Sequence, residues 1–222
     1  MTRRRKARDY TAADFGFDVD VNVDLEGQAA VAEAQAHAAR LITHVMGPRH
    51  RVFLPQSRFD RFRGFLWSIV RGTLFRLSPP SANGWRNMLL RIFGAKVAHD
   101  AAVAPSTHID HPWNLTLGRG ATICDRVIIN CMGAVNVGER SRISQYSHLC
   151  AGTHEYQRPD MRIEPRPIDV GNDVWIAADA FVGPGVHIGD GAMLAARSAA
   201  FHDLPQSMIC VGEPARPIKP RP

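Results

Sequence analysis

Long apolar runs are missing from this chain. No stretch of 18 consecutive apolar residues occurs in its 222 residues, so no segment is expected to cross the roughly 30 Å hydrocarbon core of a bilayer as a helix. The N-terminus, MTRRRKARDY, is basic, but no apolar core follows it, which argues against a secretory leader. Cysteine is scarce. Cys124, Cys131, Cys150 and Cys210 form no CxxC pair, so neither a disulfide framework nor a zinc knuckle is expected. The thiols read as small buried hydrophobes in a reducing compartment, Cys124 and Cys150 above all. Acid is outnumbered, 27 Lys and Arg against 21 Asp and Glu, for a net charge of +6. That excess favours an anionic partner such as a coenzyme or a membrane surface, although solubility alone accounts for as much. A nucleic-acid partner is not expected.

The second half also lacks helical periodicity and simple alternation. It repeats every six residues instead. The stretch Val137–His154 (VGERSRISQYSHLCAGTH) divides into three hexads that open on Val137, Ile143 and Leu149. Each continues with a small residue (Gly138, Ser144, Cys150) and carries another at the fifth place (Ser141, Ser147, Thr153). Openers recur upstream at Val97, Val103, Ile109, Leu117, Ile123 and Ile129, and downstream at Val170, Ile176, Val182, Ile188 and Leu194. Asp110 and Asn130 break the second place and Trp113 the fifth. A six-residue period suits a short flat run and a corner, three times per coil, with the opener pointing inward. Coils stacked at strand spacing then bury one another's aliphatic ladders, giving a parallel β-helix. The coils are expected at 97–114, 117–134, 137–154 and 170–187, with a partial one from Ile188. Corners are expected to absorb the two-residue insertions Leu115-Thr116 and Val135-Asn136.

Four regions follow. Residues 1–56 read as a weakly structured and helical extension: Val19–Leu25 alternates like an edge strand, and Gln28–Met46 favours helix before Gly47-Pro48. Residues 57–96 hold two Arg- and aromatic-rich helical stretches, Arg58–Leu77 and Trp85–Phe93. These read first as a cap over the open first coil, and alternatively as a peripheral contact with an anionic membrane face. Residues 97–205 form the β-helix, interrupted by a polar, proline-broken loop at 155–169 that starts beside His154 and carries Arg158, Arg162 and Arg166. Residues 206–222 form an extended basic tail. Histidines at 108, 111, 148 and 154 raise a metal-binding β-helix protein of the carbonic-anhydrase type as a different class. His108 and His148, however, stand two coil rises apart, about 9.5 Å, too far to share an ion within one chain.

RIFGAKV, HPWNLTLG (His111–Gly118), ISQYSHLCAGTHEY (Ile143–Tyr156), PIDVGNDVWIAADAFVGPGVHIGDGA (Pro167–Ala192) and VGEPARPIK (Val211–Lys219) occur together. From about Arg58 to Pro220 the chain thereby resembles the hexapeptide-repeat acyltransferases, in the branch that O-acetylates exopolysaccharide precursors. The resemblance implies a left-handed parallel β-helix, a homotrimer and acetyl-CoA as donor; the protein is expected in the cytoplasm, with the inner membrane face as the alternative place that the 58–93 helices raise, and without a metal. It puts the catalytic histidine at His154 and the coenzyme contacts at Ala178, Ala196, Arg197, His202, Arg216 and Lys219. Many relatives have Thr-Lys where this chain has Phe201-His202. Acetylation of an alcohol needs a base, and an imidazole is suited to remove the hydroxyl proton and return it to the departing thiolate. Glu155 and Tyr156 are assigned to the wall for a carbohydrate acceptor. Asn130 reads either as an acceptor contact or as a corner hydrogen bond. A small free sugar or a serine hydroxyl is the alternative acceptor, and a non-catalytic trimeric scaffold the alternative to an enzyme.

Overall fold

The computed structural model describes residues 58–222; the strand expected at Val19–Leu25 and the helix expected at Gln28–Met46 lie outside them. The six-residue period resolves into strands of two or three residues joined by corners. The first face stacks Lys96–Val97, Leu115–Leu117, Val135–Val137, Ile168–Val170 and His187–Ile188. The second stacks Ala102–Val103, Thr122–Ile123, Arg142–Ile143, Trp175–Ile176, Met193–Leu194 and Met208–Gly212. The third stacks His108–Ile109, Ile128–Asn130, His148–Cys150, Phe181–Val182 and Ala199–Ala200. Neighbouring strands within each of these stacks are parallel. From Lys96 to Gly212 the described residues form a three-sided parallel β-solenoid.

The openers are in register. Val103, Ile123, Ile143, Ile176, Leu194 and Cys210 stack on the second face, and every one of them is buried. Burying an aliphatic side chain contributes about 1.5–3 kcal/mol before the entropy of ordering the chain is subtracted. The small second place has a steric cause. A Cβ added to Gly118 would stand 2.8 Å from the backbone nitrogen of Glu139 on the next coil, and one on Gly138 would meet the Gly171 carbonyl. The two-residue insertions do not sit in corners. They lengthen the first-face strands, and Leu115, Val135 and Ile168 form a second buried ladder there. Cys131 and Cys210 are the fully buried thiols. Cys124 and Cys150, expected to be buried, are half-exposed, because a second-place side chain points away from the aliphatic ladder.

A stacked coil donates its N–H groups to the carbonyls of the next, so the first coil has carbonyls with no coil beneath them. For example, Ala102 N–H reaches Ala121 O and Ala104 N–H reaches Ile123 O. Helix α1 (Arg58–Val70), its wider continuation Arg71–Phe75, and helix α2 (Asn83–Ile92) cover that end. Their side chains supply the missing donors. Arg91 Nε reaches Val97 O at 2.9 Å, Asn87 Nδ2 reaches Ala101 O at 2.7 Å, Arg86 Nε reaches Val103 O at 2.6 Å, and Trp67 Nε1 reaches Ile109 O at 2.8 Å. Apolar packing by Trp67, Phe75, Leu89 and Leu90 completes the cover, so the open edge is blocked against pairing with another chain. At the other end, Ala215–Pro220 folds back antiparallel on Met208–Gly212.

Candidate active site

The loop after the third coil is built as a hairpin. Gly152–His154 pairs antiparallel with Ile163–Pro165, setting His154 opposite Ile163. Its base lies close against the coil below: a Cβ on Gly133 would come within 2.8 Å of both Ala151 O and the Arg166 backbone. Beyond the paired strands the crest closes on itself, with Glu155 N–H on Arg162 O at 2.8 Å and Met161 N–H on Arg158 O at 3.0 Å. Arg158 forms an exposed ion pair with Asp160 at 3.1 Å.

His154 Nδ1 stands 2.6 Å from Met161 O. A carbonyl only accepts, so Nδ1 carries the proton and Nε2 keeps its lone pair. A cavity of about 1100 Å³ opens beside it, lined among others by His154, Glu155, Tyr156, Trp113, His111 and Arg166. These residues come from the corners that join the third face to the first in successive coils. His111 precedes the 3-10 turn Pro112–Asn114 and Trp113 lies within it, with their rings edge-on at 5.1 Å. In the sequence they stood out as a candidate metal ligand, as the misfit in the hexad pattern and as part of the HPWNLTLG motif; the misfit was the available signal for the cavity wall.

Behind this wall lies Asp110, the polar intruder at a second place. Its Oδ1 accepts from the N–H of Cys131 at 2.6 Å and of His111 at 2.7 Å, and stands 3.2 Å from His111 Nδ1. Burial acts to raise its pKa, but the His111 ring, the Cys131 N–H and the Asn130 amide outweigh burial and hold the carboxyl below its ordinary range. Asn130 gives its Nδ2 to Asp110 Oδ2 at 3.2 Å and receives His148 Nε2 on Oδ1 at 2.5 Å. It thus joins a chain of side chains along the third face, outside the lining of the large cavity. Burial lowers the pKa of His148, against a smaller opposing pull from Asp110. His108 is lowered by burial and then by the Arg71 charge. Among the described residues, no three His, Cys, Asp or Glu side chains are grouped to hold a metal ion.

The remaining residues gather elsewhere. Ala178 and Ala196 stack in the corners that join the second face to the third, where Arg197 N–H donates to Ala178 O at 3.0 Å. Arg197 turns through a left-handed backbone (φ 58°) and lines a small recess with Asp179, Phe181, Phe201 and Glu213. His202 is on the same edge as His154, in the corner before Leu204, which bridges to Ile188 on the first face. Arg216 and Lys219 are exposed on the final strand. Within one chain, therefore, His154 and the Ala178–Ala196–Arg197 corner occupy different edges of the prism.

No family model matches the chain. Among individual proteins, it is 43% identical over 156 residues to WcaF of Escherichia coli K12, named as a colanic acid biosynthesis acetyltransferase; the match covers 70% of this chain and 86% of that one. The chain belongs to this branch of the hexapeptide-repeat acetyltransferases. It is also 28% identical over 151 residues to the galactoside O-acetyltransferase of Escherichia coli K12, covering 65% of this chain and 73% of that protein. A solved galactoside acetyltransferase in complex with coenzyme A superposes with a TM-score of 0.69 at 25% identity, covering 76% of this chain and 85% of the other. Membership of the branch makes this acetyltransferase-family chain an acyltransferase, and the β-solenoid with its helical lead-in is the expected architecture.

Proposed function

We propose that the protein transfers an acetyl group from acetyl-CoA to a sugar hydroxyl of an exopolysaccharide precursor, within a ternary complex and with His154 as general base. His154 Nε2 removes the hydroxyl proton as the oxygen attacks the thioester carbonyl carbon. The tetrahedral intermediate then collapses, the carbon–sulfur bond breaks, and the imidazolium returns its proton to the coenzyme thiolate. The observation that carries the reading is the Nδ1 bond of His154 to Met161 O at 2.6 Å, which leaves Nε2 as an acceptor at the edge of a cavity of about 1100 Å³. Such a cavity is large enough for a sugar acceptor. Glu155 and Tyr156 form part of its wall and are assigned to the acceptor.

The coenzyme is assigned to the corner of Ala178, Ala196 and Arg197, with His202, Arg216 and Lys219 meeting its phosphates. That corner and His154 stand on different edges of one prism, so a site that uses both is completed by a neighbouring copy. A cyclic homotrimer repeats that junction three times. A nucleotide- or lipid-linked precursor and acetyl-CoA place the reaction in the cytoplasm.

Coenzyme-A release by the purified protein across a panel of sugar acceptors tests the reading. His154→Ala should lower kcat by about 10²–10⁴-fold on an acceptor the wild type uses. A variant that keeps the wild-type rate would remove His154 from the chemistry.

A further inference from the structure

Helix α1 wears its apolar stripe on the outside. At 100° per residue, Phe62, Phe65 and Ile69 share one side, Phe59 stands at its margin next to Val70, and Trp67 turns toward the solenoid. With Leu77 and Ile92 beyond them, these six large side chains are between 49% and 79% exposed. Scattered exposed apolar residues are ordinary, but a run of this size on one helical cap is not. The capping role explains the inner side, where Trp67, Arg86, Asn87 and Arg91 meet the first coil. It leaves the outer side unexplained.

Charge selects the occupant. Residues 58–96 hold eight Lys and Arg against one acid, Asp60; Arg63, Arg71, Arg86 and Arg91 are engaged within the cap and the first coil, and Asp60 turns to the large cavity. Arg58, at the start of the stripe, and Arg76, just past the wider turn, are both exposed. A second copy docked face to face would bring like charges together, whereas an anionic lipid surface would satisfy the cations and the apolar stripe at once. No described helix is long and apolar enough to cross a membrane, so the contact lies in the interface plane. We propose that the outer face of the helical cap, centred on Phe62 and Phe65, docks on an anionic lipid bilayer. Asp60, on the opposite side of the same helix, lines the cavity beside His154; on the proposed reading of a sugar acceptor, docking would therefore hold that cavity one helix diameter, roughly 10 Å, from the lipid.

The test is co-sedimentation of the full-length protein with vesicles of phosphatidylcholine alone, or with about one third phosphatidylserine. Binding to the anionic vesicles should exceed binding to the neutral ones by about tenfold at low salt and weaken as salt is raised. The pair Phe62→Glu and Phe65→Glu should abolish sedimentation with both vesicles. The pair Arg58→Glu and Arg76→Glu should remove the preference for anionic lipid. Thermal melts and gel filtration accompany each variant; an unchanged melt assigns the lost binding to the face and not to unfolding. Three results would overturn the proposal. One is failure of the wild type to bind anionic vesicles, whether residues 1–57 or a second copy holds the face. Another is undiminished binding by the Phe variant. The third is a Phe variant that changes oligomeric state while binding lipid as before. Acetyl transfer to a soluble acceptor is read separately, so loss of docking and loss of chemistry are distinguishable.

Discussion

The ring of His154 is held by Met161, a residue seven positions on and across the crest of the loop, at 2.6 Å. The acceptor is a main-chain carbonyl, so the orientation of the base depends on backbone geometry at Met161 and not on its side chain. Met161 has a positive φ of 46°, and its N–H binds Arg158 O.

Met161→Pro should therefore disarm the site from a distance. Proline fixes φ near −65° and removes the N–H, so the crest must reshape and the carbonyl must leave Nδ1. We expect kcat to fall by about 10–10²-fold, since misplacing a catalytic group by an ångström has consequences of that order. The unfolding midpoint should stay near that of the wild type because the crest is exposed. Met161→Ala, which keeps the carbonyl, should cost far less; equal loss in both variants would count against the tether.

Arg86 is fully buried with no carboxylate beside it, yet all its donors are used. Nε binds Val103 O, and the two terminal nitrogens reach Ser78 Oγ, Pro79 O, Pro80 O and Asn83 Oδ1 at 2.7–2.8 Å. Burial lowers its pKa, but a guanidinium remains charged. Arg86→Lys replaces five forked donors with three at a point, leaving buried carbonyls unpaired. We expect a loss of about 2–4 kcal/mol in urea unfolding. A loss below 1 kcal/mol, on the order of a surface substitution, would mean the cap is not pinned through this residue.

Much of this architecture was legible in advance, and the reasons differ by position. The openers announced themselves because an interior one residue wide accepts only aliphatic side chains. The second-place glycines announced themselves because the next coil's backbone leaves no room for a Cβ, as at Gly118 and Gly138. The fourth place did not. It carries the left-handed corner, yet Arg126, Arg140, Tyr146, Asp173, Asp179 and Arg197 occupy it with φ between 55° and 65°. Glycine marks it only at Gly120, Gly185 and Gly191; elsewhere the corner is held by hydrogen bonds to its neighbours, as Tyr146 N–H to Asp125 O shows. The capping role of Arg86, Asn87 and Arg91 was equally silent. Arginine spaced along a helix signals a solvated face, and only the three-dimensional stack shows which carbonyls lack a donor. At the site, His154 and its loop were visible as a break in rhythm. The contributions of His111 and Trp113 come from a coil about forty residues earlier, which a one-dimensional reading does not bring near.

Asp110 couples the wall of the cavity to acid stability. Its carboxyl is held below the ordinary range in the folded chain, against about 3.9 when unfolded. Its stabilising contribution is thus complete above about pH 3.9 and is lost as pH falls through the folded value. Asp110→Asn keeps the shape but discards the charge that receives the N–H groups of Cys131 and His111. We expect it to cost about 1–3 kcal/mol at pH 7. In urea unfolding at several pH values, the gap between wild type and variant should narrow steadily below about pH 4. A gap independent of pH would remove the carboxylate from this role.

His202 offers a gain of function. It is exposed beside Phe201, which packs against Phe181 with ring centroids 5.6 Å apart, so the position is anchored while its tip faces solvent. Coenzyme A is polyanionic, and a lysine puts a full positive charge on a long, flexible stem at neutral pH. If His202 meets a coenzyme phosphate, His202→Lys should lower the KM for acetyl-CoA by about three- to tenfold at low ionic strength with little change in kcat, because a charge-assisted contact of 1 kcal/mol or so acts equally on ground and transition states. Raising the salt should shrink the advantage, as expected for an exposed charge pair. Steady-state kinetics at two salt concentrations read both effects. An unchanged KM at low salt would move the phosphates away from this corner and toward Arg216 and Lys219 on the final strand.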